Sequence, residues 1–141
     1  MASYKTVTEW KGGHKGDVKL SNGPILPFSA PAAIKGEKRL LTPEDAFVAA
    51  LNTCYMLMFI WSVERLKIDL ISYTCEAVGH VEEFLDKTST FDFVILSPKI
   101  VVKGSSVDRV HRALELAEKY SLVWQSIKAR VDLKPEITIL S

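Results

Sequence analysis

The sequence predicts an α+β fold in which short strands surround one long helix. Three observations lead to this class. Polar and apolar residues alternate near both ends of the chain, residues 46–61 form an apolar run interrupted only at Asn52 and Thr53, and helical spacing returns after residue 104. No interdomain linker or internal repeat interrupts this order, so residues 1–141 are expected to form one domain.

The N-terminal third predicts three strands joined by tight turns. Residues 5–11, 17–20 and 25–28 are the strand candidates, and Pro24 and Pro27 favour an edge position for the third one. The glycine-rich segment 12–16 and the Ser-Asn-Gly-Pro segment 21–24 are typical turn sequences. A connection rich in small and basic residues follows, up to residue 41.

A long helix is predicted from Thr42 to about Leu66. Thr42 suits the N-cap, Pro43 suits the first turn, and Glu44 and Asp45 complement the positive end of the helix dipole. The apolar run of residues 46–61 is shorter than the ~20 residues that span a bilayer, so no membrane association is expected. A helix that is apolar on every side is buried, either in a core or against a partner chain.

The second half predicts two long strands, two helices and a final strand. Residues 68–82 alternate as a half-buried strand, residues 91–103 form the next strand, and Gly104-Ser105-Ser106 opens a helix that breaks near Tyr120-Ser121. A shorter helix is predicted over residues 122–129, and a single strand over residues 131–140 with Pro135 inside it. The apolar face of the first long strand is expected to carry Ile71, Tyr73, Cys75, Ala77 and Val81.

Composition excludes several functional classes. Eighteen Lys and Arg against 17 Asp and Glu leave a net charge of +1, which is too small for a general nucleic-acid-binding surface. Two cysteines are too few for a disulfide-rich scaffold or a four-cysteine zinc site, and the three histidines lack metal-ligand spacing. The N-terminus lacks the apolar segment of a signal peptide, so we expect a cytoplasmic protein without a metal or cofactor.

Cys54 is the first candidate for chemistry. It lies in the apolar helix beyond the first turn, where the helix dipole no longer acts on it. A buried thiol in such a position is usually an inert hydrophobic residue. A reactive Cys54 would need a cation supplied by another part of the protein.

The segment from Thr42 to Cys54 resembles the signature of the OsmC/Ohr family of organic hydroperoxide resistance proteins. The shared features are a Pro-Glu pair at Pro43-Glu44, a helix of small and apolar residues, and a cysteine ten residues after the glutamate. Further similarity lies at Gly12-Gly13, at the long strand ending near Gly79, and at Ala117-Glu118-Lys119. The resemblance implies an OsmC-like fold, an intertwined homodimer with buried central helices, and thiol peroxidase activity at the subunit interface.

The resemblance also implies roles for individual residues. Cys54 would attack the peroxide and become a sulfenic acid while an alcohol is released, and an external dithiol would reduce the enzyme. Glu44 would position an activating arginine, and His14 occupies the place of that arginine; Lys15 or Arg39 are alternative cations, and His14 is otherwise a solvated loop residue. Because ten helical residues span about 15 Å, Glu44 and Cys54 would share a site only across a helix break or from two chains.

Family peroxidases carry a second, resolving cysteine, and Ser121 lies at that place in this chain. Serine cannot form a disulfide, so the oxidised Cys54 would require an external reductant or Cys75, which is otherwise a core residue. Two further hypotheses remain open. One is a dimer of the same fold that binds a small apolar ligand in its interface cleft, and the other is a structural interaction domain.

Overall fold

A computed structural model describes all 141 residues, Met1–Ser141. Its elements confirm the α+β class and follow the predicted order. The chain forms two compact units, residues 1–47 and residues 48–141.

The first unit contains a three-stranded antiparallel sheet in the order β1-β2-β3. Its strands are β1 (Val7–Trp10), β2 (Lys15–Lys19) and β3 (Ile25–Ser29), followed by a 3₁₀ turn at Ala32–Ile34. Gly16 lies opposite Trp10, and a Cβ at this position would lie only 2.4 Å from the carbonyl oxygen of Glu9. A side chain at this position would therefore clash with the backbone of β1.

Helix α1 (Pro43–Arg65) begins as predicted, because the Thr42 hydroxyl accepts a hydrogen bond from the Asp45 N–H at 3.0 Å. Its length and composition would suit a membrane crossing, a property that it shares with core helices of globular proteins. One side of α1 is buried, at Leu51, Tyr55, Phe59, Ser62 and Val63. Within one chain the core does not bury α1 on every side, because Leu57 and Trp61 remain 57% and 42% exposed, and of the two expected environments only a partner chain could cover these residues.

The second unit contains a sheet built around β5 (Ser89–Lys103). The long strand β4 (Asp69–Glu83) pairs antiparallel along one edge of β5. On the other edge, β6 (Arg130–Leu133) and β7 (Glu136–Leu140) pair parallel with successive parts of β5. The prediction of one continuous final strand is wrong, because Pro135 lacks an N–H and the preceding Lys134 N–H donates to the Leu96 carbonyl at 2.8 Å.

The apolar face of β4 is shorter than predicted. Register shifts between Leu70 and Ser72 and between His80 and Val81 interrupt its alternation. Ile71 and Val81 are consequently 50% and 49% exposed, although we expected both on the buried face.

Helices α2 (Val107–Tyr120) and α3 (Leu122–Ser126) complete the second unit. Ser106 caps α2 by accepting a hydrogen bond from the Arg109 N–H, as expected from the serine-rich start. Helix α3 is shorter than the predicted range, and both helices meet at Ser121.

Within the second unit, α1 is the central element. Tyr55 reaches towards α2 and α3, because its hydroxyl donates to the Leu114 carbonyl at 3.2 Å and its ring lies 5.5 Å from that of Trp124. On the sheet side, the Phe59 and Tyr73 rings lie 5.3 Å apart. This part of α1 therefore lies between β4 and the helical layer.

Candidate functional site

The site is built around Cys54, on the flank of α1 that faces the junction of α2 and α3. Cys54 is a free, half-buried thiol. The Ser121 hydroxyl donates a hydrogen bond to its Sγ at 3.3 Å, across 67 residues of sequence. The structure thus brings Cys54 together with the serine that occupies the place of the second family cysteine.

Ser121 is held by its position between two helices. Its side chain is fully buried, its N–H donates to the Glu118 carbonyl at 3.4 Å, and its carbonyl accepts from the Gln125 N–H at 3.0 Å. The hydroxyl also caps α3 by accepting from the Trp124 N–H at 3.4 Å. A residue fixed through both backbone groups and its side chain presents a defined donor to the sulfur.

Tyr55, next to Cys54, anchors this flank of α1. Its hydroxyl and ring contact the helical layer through Leu114 and Trp124. Burial raises the pKa of Tyr55 strongly, and the nearby Glu118 carboxylate raises it further. Tyr55 is therefore a neutral structural donor, and Trp124 is shared between the Tyr55 ring and the Ser121 cap.

Cys75 lies on the other flank of α1, on β4. The Asn52 side-chain amide donates to the Cys75 carbonyl at 3.2 Å, and Asn52, Met56 and Tyr73 help to line a cavity of about 150 Å³ beside this thiol. Burial raises the pKa of Cys75, and hydrogen bonding from Tyr73 lowers it by less. This thiol is therefore mostly protonated near neutral pH.

The two thiols face different directions. At 3.6 residues per turn, Asn52 and Cys54 project about 200° apart around α1. Asn52 points towards Cys75, whereas Cys54 points towards Ser121. The structure therefore does not bring Cys54 and Cys75 together within one chain.

Glu44 lies in the first turn of α1, where a carboxylate complements the helix dipole. The helix is continuous from Pro43 to Arg65, so no break shortens the ten residues between Glu44 and Cys54. Glu44 and Cys54 were expected to share a site only across a helix break or from two chains. The structure shows no such break.

The predicted cations lie in the first unit. His14 is exposed in the β1–β2 turn, and its carbonyl accepts from the Ala30 N–H at 3.0 Å. Lys15 pairs with Glu37 at 2.6 Å, and Arg39 is an exposed residue in the left-handed region at φ 68°. Lys15 therefore already has a carboxylate partner, while His14 and Arg39 have exposed side chains.

Sequence reasoning gave no role in the site to three residues of the second unit, Asn52, Tyr73 and Trp124, although Tyr73 was expected on the same strand face as Cys75. Asn52 was detectable as a polar residue inside the apolar run, a position where an amide needs a hydrogen-bond acceptor. The contact of Trp124 with Tyr55 joins α3 to α1 and had no sequence signal. The structure brings together no group of three or more His, Cys, Asp or Glu side chains with metal-binding geometry.

Comparisons with known proteins identify the family. The sequence model described as OsmC-like protein matches residues 36–136. The uncharacterized protein YmaD of Bacillus subtilis (strain 168) is 23% identical over 135 residues, which cover 92% of this chain and 89% of YmaD.

Solved structures share the fold at similarly low identity. The OsmC-like protein of unknown function VCA0330 from Vibrio cholerae superposes with a TM-score of 0.87 at 22% identity, covering 96% of this chain and 99% of VCA0330. An organic hydroperoxide resistance protein from Elizabethkingia anophelis gives 0.77 at 18% identity, with 98% and 96% covered. OhrB, the organic hydroperoxide resistance protein of Bacillus subtilis, gives 0.66 at 16% identity, with 96% and 98% covered. The chain therefore belongs to the OsmC-like protein family, as its helix signature predicted.

Proposed function

We propose that this protein reduces organic hydroperoxides to alcohols, with the Cys54 thiolate as nucleophile and an external dithiol as reductant. The observation that carries the proposal is the 3.3 Å hydrogen bond from the buried Ser121 hydroxyl to Cys54 Sγ. A donor at the sulfur stabilises negative charge there, and the thiolate is the reactive form of cysteine. Membership of the OsmC-like family and the names of two structural neighbours support the same chemistry.

The reaction requires few protein groups. The thiolate attacks the terminal peroxide oxygen, an S–O bond forms as the O–O bond breaks, and the leaving alkoxide takes a proton to become the alcohol. Cys54 is left as a sulfenic acid. Glu44 and His14 are proposed to support this step, His14 as the cation in place of the family arginine and Glu44 as its positioning carboxylate.

We also propose that the protein is a homodimer. The exposed apolar side of α1, at Leu57 and Trp61, and the exposed apolar residues Val7, Trp10 and Ile25 of the first unit support an interface between copies. Since α1 is unbroken, contribution of Glu44 by the second copy agrees with this assembly. Light scattering on a size-exclusion column is expected to give twice the 15.8 kDa chain mass, and a monomer would contradict the dimer.

A cytoplasmic location agrees with the two unpaired cysteines, because thiols are kept reduced in that compartment. Fractionation of cells that produce the tagged protein is expected to find it with cytoplasmic markers. Recovery in the membrane fraction would contradict this location.

The activity is tested by mixing reduced protein with cumene hydroperoxide and dithiothreitol. Peroxide consumption is expected to fall to the uncatalysed rate in Cys54→Ser and to remain unchanged in the matched variant Cys75→Ser. Consumption that survives Cys54→Ser would refute the proposal. A partial loss in His14→Ala, with retained activity in Lys15→Ala, would support the role given to His14.

A second function is favoured by one observation. The first unit contains an almost entirely apolar cavity of about 190 Å³, lined by Thr8, Val18, Phe28, Leu41, Thr42, Pro43 and Ala46. Most drug-sized ligands need a larger cavity, of at least about 300 Å³, so only a small apolar molecule fits. Saturable binding of a benzene-sized probe by a protein that consumes no peroxide would favour this alternative, and Val18→Phe should abolish that binding.

A further inference from the structure

The Ser121 hydroxyl has one proton, and its surroundings determine where that proton points. The Trp124 N–H can only donate, so it occupies a lone pair of Oγ. The remaining close partner is Cys54 Sγ at 3.3 Å. The O–H therefore points at the sulfur whenever Cys54 is a thiolate.

We propose that Ser121 is a positioning residue for Cys54 and that Cys54 turns over without any second thiol of its own chain. This inference rests on the proposed peroxidase function. The buried hydroxyl directs its proton at the sulfur and occupies the place next to it. Because a serine cannot resolve the sulfenic acid, an incoming thiol does so directly at the Cys54 sulfur.

The chemistry balances with two external thiols or one dithiol. The first thiolate attacks Cys54 sulfur, an S–S bond forms, the S–O bond breaks, and the hydroxide that leaves is protonated to water. A second thiolate then attacks the sulfur of the bound reductant and releases the Cys54 thiolate. The peroxide is reduced to alcohol and water, and the two thiols are oxidised to one disulfide.

Cys75 is not placed to act as the internal thiol. It lies on the opposite flank of α1, next to Tyr73, and burial keeps it protonated. Its backbone carbonyl is fixed by Asn52 at 3.2 Å, on the strand β4. A Cys54–Cys75 bond would require Cα atoms within about 7 Å and side chains that point towards each other.

The first experiment uses Ser121→Cys and mass spectrometry after one equivalent of cumene hydroperoxide. In the wild type, dimedone is expected to trap a sulfenic acid on Cys54, with no internal disulfide. In Ser121→Cys, the introduced thiol is expected to form a disulfide with Cys54 and to prevent the trapping. A Cys54–Cys75 disulfide in the wild type would overturn the proposal, as would trapping that Ser121→Cys leaves undiminished.

The second experiment measures the positioning role without peroxide. Alkylation of Cys54 by iodoacetamide at neutral pH is expected to slow about three- to tenfold in Ser121→Ala, with its pH profile moved to higher pH, and to recover in Ser121→Thr. The loss of the α3 cap is monitored by the thermal midpoint and by Trp124 fluorescence. Equal alkylation rates in folded wild type and Ser121→Ala would overturn the positioning role.

The two experiments separate this inference from the peroxidase proposal. If the wild type consumes no peroxide but alkylation still depends on Ser121, the peroxidase function fails and the positioning role stands. If peroxide is consumed through Cys54 at a rate independent of Ser121, the positioning role fails and the peroxidase function stands.

Discussion

One cysteine lies on each flank of α1, Cys54 on the helix itself and Cys75 on β4, and the two thiols have different surroundings. On the flank of the helical layer, Cys54 receives a hydrogen bond from the fully buried Ser121 hydroxyl. On the flank of the sheet, Cys75 lies beside Tyr73, and burial raises its pKa. The contrast teaches that two thiols beside one helix can have unlike settings: Cys54 has a fixed hydroxyl donor, whereas at Cys75 burial outweighs the hydrogen bond from Tyr73.

The largest expected effect is a difference in reactivity between the two thiols. We expect iodoacetamide to modify Cys54 at least about tenfold faster than Cys75 at neutral pH, because burial holds Cys75 in the protonated form. Peptide mass mapping of a time course measures both rates in one sample. Modification of Cys75 first, or at the same rate, would remove the proposed contrast.

The next effect concerns packing on the Cys75 flank. A Cβ at Gly79 would lie 2.7 Å from Phe91 Cε1 and 2.8 Å from Val48 Cγ2, so α1 and β4 approach closely only because this residue is a glycine. Gly79→Ala is expected to lower the free energy of unfolding by about 1–3 kcal/mol. Urea denaturation measures the change, and Glu82→Ala, on an exposed part of β4, should stay within about 0.5 kcal/mol.

A smaller effect compares the tyrosine hydroxyls of the two flanks. Tyr55 donates to the Leu114 carbonyl at 3.2 Å, whereas the buried Tyr73 hydroxyl interacts with the Cys75 thiol, a weaker acceptor than a carbonyl. Tyr55→Phe should therefore cost about 0.5–1.5 kcal/mol of unfolding free energy, and Tyr73→Phe should cost less. The same urea measurement decides, and a larger loss in Tyr73→Phe than in Tyr55→Phe would contradict this order.

The last effect is a loss of stability at alkaline pH. Burial raises the pKa of Tyr55, Tyr73 and Cys75 in the folded protein, so the unfolded chain binds fewer protons once the pH exceeds the unfolded values. Those values are about 8.5 for cysteine and 10 for tyrosine, and stability should fall as pH rises above them. Thermal midpoints measured from about pH 7 to about pH 11 should decline less steeply in Tyr73→Phe than in the wild type. An unchanged slope in this variant would show that Tyr73 does not contribute.

Much of the fold was predictable because local signals agree with it. The Thr42 cap and the apolar run place α1, and the Ser106 cap places α2. The break at Ser121 was predicted from the helical spacing on either side of it. The single final strand and the buried positions of Ile71 and Val81 were wrong, because strand breaks and register shifts depend on the neighbouring strand β5.

The candidate site was only partly predictable. Cys54 and Ser121 were identified through the family resemblance, but their contact across 67 residues has no signal in local spacing. Spacing alone favoured an inert Cys54. The roles of Glu44 and His14 remain predictions, because they depend on an assembly of two copies.

The sequence by itself determined the α+β class and the boundaries of α1, because caps, turns and hydrophobic periodicity are local properties of the chain. The family followed from the resemblance of the segment from Thr42 to Cys54 to the family signature. Only the tertiary structure decided which donor each thiol receives. That choice depends on the direction in which each side chain leaves α1 or β4, and on the α2–α3 junction that brings the Ser121 hydroxyl to the Cys54 sulfur. Such contacts are made between residues far apart in sequence, and they arise only when the elements pack.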